Sequence, residues 1–132
     1  MDYRLFGKTG LRVSTVGFGT WQFNNSIWGG PDEAGSIELV HAALDAGCNF
    51  YDTAPGYGGG ASEQLLGKAL KGRREKAVLC TKYGHANPQK MDFSAAGLRP
   101  SLEASLRRLQ TDYVYLLLLH NPPGDLLDGT KT

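Results

Sequence analysis

Short apolar runs alternate with stretches of helical spacing along most of this chain, and that order leaves few folds open. The runs are residues 16–20, 49–52, 77–81 and 114–119. After the first, residues 32–46 place Ile37, Val40, Ala43 and Leu44 near helical spacing, and Gly47 follows where a left-handed cap belongs. Residues 62–70 form a second expected helix with Ser62 as N-cap, and Leu102, Leu106 and Leu109 mark a third. In the third, Ser94 and Pro100 compete as starts. A start at Ser94 puts Pro100 inside at about 3 kcal/mol and Gly97 inside at about 1 kcal/mol. The spacing therefore predicts a kinked or 3₁₀ lead-in and a regular helix from about residue 100. Ahead of all this, residues 3–5 and 11–14 flank Gly7-Lys8-Thr9-Gly10 as a hairpin.

Strands separated by helices pair in parallel through right-handed crossovers, so the class is α/β. Three of the runs end in, or lead directly into, an ionisable residue: NFYD at Asp52, AVLCTK at Lys82 and YLLLLH at His120. Tyr57 follows the first of these in a glycine-rich loop. A charge at the end of a buried strand is costly without a partner or a task, and several at successive strand ends fit the active face of a (β/α)₈ barrel. A doubly wound dinucleotide fold would want GxGxxG after its first strand, and Gly17-Phe18-Gly19-Thr20-Trp21-Gln22 lacks the third glycine. A complete barrel takes eight strands and about 250 residues. The expected architecture is thus an N-terminal β-hairpin followed by the first four β/α units of a TIM (β/α)₈ barrel. That makes an incomplete half-barrel, one partial domain over residues 1–132 truncated after barrel strand four. The run 114–119 reads as a strand covered on both faces, and 121–132 as the loop after it.

Composition narrows the function classes. A net charge of +1 creates no field that would draw nucleic acid. The densest basic stretch, KALKGRREK over residues 68–76, reads as a solvated helix end and loop. No run approaches the roughly 18 apolar residues of a membrane span, and the N-terminus lacks a signal-peptide core, so a cytoplasmic location is expected. Cys48 and Cys80 lie in or beside apolar runs without CxxC spacing and read as buried free thiols.

Asp52, Tyr57, Lys82 and His120 together suggest proton transfer. A lysine buried beside an aspartate stays charged, and a cation close to a phenol hydroxyl favours the phenolate. Tyrosine can then give or take a proton, and a histidine on the adjacent strand end can orient a carbonyl oxygen. No side chain of this set is a hydride source, so hydride chemistry would need a cofactor. Each residue alone has a plainer reading: Asp52-Thr53 as an Asx turn, Lys82 at the surface, Tyr57 in packing, His120 in a turn. No GxSxG and no i, i+4 histidine pair supports a serine nucleophile or zinc.

The chain resembles the aldo-keto reductase superfamily. The likeness is carried by YRLFGKTGLRVS, GLRVSTVGFGTWQF, NFYDTAPGYGGGASEQLLGKAL, VLCTKYG and SLEASLRRLQTDYVYLLLLHNP, in the family's order. It implies NADPH-dependent reduction of an aldehyde or ketone, or NADP-dependent oxidation of an alcohol, with a small-molecule substrate and no metal. Asp52, Tyr57, Lys82 and His120 would be the catalytic residues, Tyr57 the general acid. Gly19, Thr20 and Trp21, with Asp52, would lie against the cofactor. Tyr115 stands where the family commonly has aspartate, which reads as a packing change. The family's main cofactor grip lies beyond residue 132, so the resemblance implies a chain inactive by itself. Trp21, Trp28 and Tyr83 hint at an aromatic-lined pocket. Three readings stay open: a truncated reductase, a half-barrel that pairs with a second half, and a noncatalytic binding or scaffold protein derived from reductases. Exposed strand edges would offer a route to self-association.

Overall fold

The computed structural model describes residues 1–23, 29–87 and 90–127; Trp28 lies outside them. The hairpin is present as β1 (Tyr3–Leu5) antiparallel to β2 (Arg12–Ser14). Asn49 ties it to the body, since its Oδ1 accepts from Ser14 N at 2.7 Å and its Nδ2 donates to Arg12 O at 2.9 Å.

Four strands form one parallel sheet in the order β3 (Phe18–Gly19), β4 (Phe50–Asp52), β5 (Val78–Tyr83) and β8 (Leu116–Leu119). The connecting helices are α1 (Glu33–Asp45), α2 (Ala61–Ala69) and α3 (Ala95–Leu109). Asp32 caps α1, and Gly47 adopts φ 88° after it, as expected. The helices cover one face of the sheet and bury Val40, Tyr51, Leu66, Leu70, Leu79 and Leu109 against it. Among the described residues no helix is long and apolar enough to cross a membrane.

Several expectations are corrected. Helix α2 begins at Ala61 with Gly60, not Ser62, at its cap, because Gly60 turns the chain at φ 97° and the Ser62 hydroxyl is engaged elsewhere. Helix α3 starts from Ser94 and carries Pro100 inside it. Ser94 Oγ accepts from Gly97 N at 3.1 Å, Asp92 Oδ1 accepts from Ser94 N at 2.9 Å, and Gly97 sits so close to Asp92 and Tyr83 that no Cβ would fit. These tertiary contacts outweigh the single hydrogen bond that proline removes. Between β5 and α3 stands an unforeseen antiparallel ribbon, β6 (His85–Asn87) with β7 (Lys90–Met91).

The run 114–119 forms the edge of the sheet, as a half-barrel requires, but it is not covered on both faces: Leu118 and Leu119 are 45% and 43% exposed. Residues after it include a short helix, α4 (Gly124–Leu127), where only a loop was expected. The basic stretch is not uniformly solvated either. Arg74 is half-buried, stacked 4.0 Å over the Tyr113 ring, and donates to Thr111 Oγ1, Ala77 O and Tyr113 O. Tyr115 packs edge-on against Tyr113 in the same cluster. Cys48 and Cys80 are buried and free.

Candidate active site

Paired residues of a parallel sheet point to the same face, and so do residues two apart on a strand. Gly19 pairs with Asp52, Asp52 with Cys80, and Lys82 with Leu118, two residues before His120. The register alone therefore sets Gly19, Asp52, Lys82 and His120 on one face, opposite the helices. Lys82 is the next-to-last residue of β5, not its end, because the strand runs on to Tyr83. Asn121 follows His120 at φ 52° and turns the chain away.

Tyr57 reaches this face from a 3₁₀ turn, Tyr57–Gly60, whose three glycines adopt φ 58°, 63° and 97°. Such a run in the left-handed region suits glycine. It folds the loop back over the sheet end.

The four side chains meet. Lys82 Nζ donates to Asp52 Oδ1 and Oδ2 at 2.8 Å each, to Thr53 O at 2.9 Å and to Tyr57 OH at 3.0 Å. An ammonium has no acceptor, so the Tyr57 oxygen accepts and its own proton is left to point elsewhere. The Tyr57 and His120 rings stand edge to face at 5.7 Å. The Lys82 side chain is 12% exposed and that of Asp52 40%. Burial alone would lower the Lys82 pKa. Hydrogen bonds to Asp52 and Tyr57, with the Asp52 charge, instead hold it above the ordinary lysine value.

His120 goes the other way. Burial, then the Lys82 and His85 charges, push its pKa below the ordinary histidine value against the opposing pull of Asp52, so it is neutral at pH 7. His85, which the sequence reading passed over, lies 5.2 Å from it ring to ring. The Nδ1 atoms of both are buried without a hydrogen-bond partner among the described residues. Only the position of His85, three residues past Lys82, could have signalled it. Cys80 shares the face but stays a thiol, its pKa pushed up to about 12 by burial and the Asp52 charge.

Gly19 ends β3 with open space where a Cβ would stand, and Trp21 beyond it is 45% exposed. Thr20 between them is fully buried, its hydroxyl donating to Asp52 O at 3.0 Å and accepting from Ser62 Oγ at 2.7 Å. Tyr83 points to the helix side, where its hydroxyl donates to Ser94 O at 2.5 Å. It lines a separate cavity of about 490 Å³ with Gly59, Asp92 and Arg108.

A profile described as the Aldo/keto reductase family matches residues 15–127. The chain belongs to this family. Its relatives include aldo-keto reductase YhdN of Bacillus subtilis, 42% identical over 92% of this chain and 38% of that protein. The holo form of an aldo-keto reductase from Bacillus halodurans superposes with a TM-score of 0.86 at 38% identity, covering 98% of this chain and 44% of that one. An aldo-keto reductase from Klebsiella pneumoniae, solved in complex with NADPH, has a TM-score of 0.68 at 33% identity, covering 84% of this chain and 36% of that one. This aldo/keto reductase chain therefore spans about two fifths of the length of such curated relatives. Its parallel sheet matches the first units of the family's (β/α)₈ barrel.

Proposed function

We propose that this chain carries the proton-transfer site of an NADPH-dependent oxidoreductase that reduces an aldehyde or ketone to an alcohol, or runs the reverse. The observation that carries the reading is the Lys82 ammonium donating to the Tyr57 oxygen at 3.0 Å while held by both oxygens of Asp52.

NADPH, when bound, supplies the hydride. Gly19 and Trp21 offer an open strand end beside the Asp52 carboxylate, a surface that fits the nicotinamide end of such a cofactor. Thr20 supports that surface from beneath. Tyr57 gives its proton to the carbonyl oxygen as negative charge develops there, and the phenolate left behind rests against the Lys82 ammonium. Asp52 and the Thr53 carbonyl fix that ammonium in place. The neutral His120 imidazole, packed against the Tyr57 ring, orients the carbonyl oxygen by a hydrogen bond. Oxidation of an alcohol reverses each proton movement.

Because the chain spans about two fifths of the length of its curated relatives, the test is run on a barrel completed with the later units of a related reductase. Saturable, aldehyde-dependent oxidation of NADPH is the expected result. Tyr57→Phe should slow the chemical step about 10²- to 10⁴-fold and leave NADPH affinity unchanged. An unaltered single-turnover rate would overturn Tyr57 as the acid.

A further inference from the structure

Behind the site, on the helix side of the sheet, lies a layer of buried polar groups. Three threonines adjoin the site residues in sequence: Thr20 follows Gly19, Thr53 follows Asp52 and Thr81 precedes Lys82. Strand alternation turns all three away from the site, and all are fully buried. Their hydroxyls converge on two consecutive residues at the start of α2. Ser62 Oγ is 2.7 Å from Thr20 Oγ1 and 3.0 Å from Thr53 Oγ1. Thr81 Oγ1 donates to Glu63 Oε1 at 2.6 Å.

Glu63 is 0% exposed, and its other oxygen accepts from Arg108 Nε of α3 at 2.6 Å. A buried carboxylate is costly unless paired and hydrogen-bonded, so this one is held tightly by both partners. Arg108 also donates to Ser105 Oγ at 3.2 Å, and its shaft passes the end of the Tyr57 turn. A Cβ on Gly60 would stand 2.8 Å from Arg108 Cδ and 3.2 Å from Nε. The guanidinium arm occupies the space that a side chain at position 60 would need.

One carboxylate thus bonds to the residue before Lys82 and to Arg108, whose side chain lies against the last residue of the turn that begins with Tyr57. We propose that Glu63, paired with Arg108, is a positioning residue that sets the distance between the Tyr57 hydroxyl and the Lys82 ammonium. Its catalytic consequence rests on the function proposed above; the positioning does not.

The test is fluorine NMR of the chain labelled with 3-fluorotyrosine, with the Tyr57 resonance assigned by Tyr57→Phe. In Glu63→Gln the Tyr57 signal should shift or split while those of Tyr3 and Tyr51 stay in place. Arg108→Lys, altered at a side chain a quarter exposed, should do the same and carries the test if Glu63→Gln does not fold. An unchanged Tyr57 signal in a folded variant overturns the proposal. Tyr57 moving together with Tyr3 and Tyr51 also overturns it, because that marks general loosening. In an active completed barrel the same variants should lower kcat about 10- to 100-fold with KM unchanged. A completed barrel that reduces no carbonyl, with the Tyr57-specific change present, sinks the proposed activity and supports the positioning role.

Discussion

The Lys82 ammonium lies 2.8 Å from each oxygen of Asp52, across the boundary between two neighbouring strands. This contact is the main reason that Lys82 keeps its proton despite burial. A folded-state pKa raised above the unfolded value of 10.5 gives stability that is complete below pH 10.5 and lost as the pH climbs through the folded value. Asp52→Asn removes the charge and weakens the contact. Wild type should therefore be the more stable protein from neutral pH to about 10, and its lead should shrink above that. Urea denaturation at a series of pH values measures the lead; a difference that stays constant into strongly alkaline solution would refute the coupling.

His120 tests the same cation from the other side. Burial is the largest cause of its lowered pKa, and the Lys82 charge is the next. Between the folded value and 6.5 the unfolded chain binds more protons, so stability rises with pH through that window and is lost as the pH falls through it. Lys82→Met should move the His120 titration upward, because it removes one of the charges that oppose protonation and leaves the pull of Asp52. The imidazole C–H shifts followed by NMR report the midpoint, and an unmoved midpoint would count against the Lys82 contribution.

The face that carries Asp52, Lys82 and His120 was legible in the sequence because strand alternation and apolar runs are local. The remainder depends on contacts that no local pattern carries. Glu63 looks like any acidic residue in the first turn of a helix, and only the arrival of Thr81 and Arg108 makes it a buried pair. Pro100 marks a penalty that can be read locally, whereas the Ser94 cap and the tight seat of Gly97 that outweigh it become visible only in three dimensions. The leucines of 116–119 read as doubly covered because apolarity records what a strand can bury, not what stands beside it. The β6–β7 ribbon is too short and irregular to show an alternating pattern.

Arg74 was legible only as one charge among several, yet it binds the loop before β5 to the loop before β8. Arg74→Ala removes hydrogen bonds to Thr111, Ala77 O and Tyr113 O and the stacking on Tyr113. It should cost about 2–3 kcal/mol, whereas Lys76→Ala, at an exposed position of the same stretch, should stay within about 0.5 kcal/mol. Urea unfolding of both variants decides the point, and equal small effects would show that the guanidinium contacts contribute little.

Gly67 sets helix propensity against packing. It lies inside α2, where alanine is ordinarily better than glycine by about 1 kcal/mol. A Cβ there, however, would stand 2.7 Å from both the carbonyl carbon and oxygen of Leu109 and 2.8 Å from Arg108 O. These are backbone atoms at the end of α3, so no side-chain rotation relieves the contact and the two helices would have to separate. Overpacking of this kind costs about 1–3 kcal/mol, more than the propensity gain. Gly67→Ala should therefore lower the urea midpoint. A raised midpoint would show that α3 can shift away from α2 at little cost.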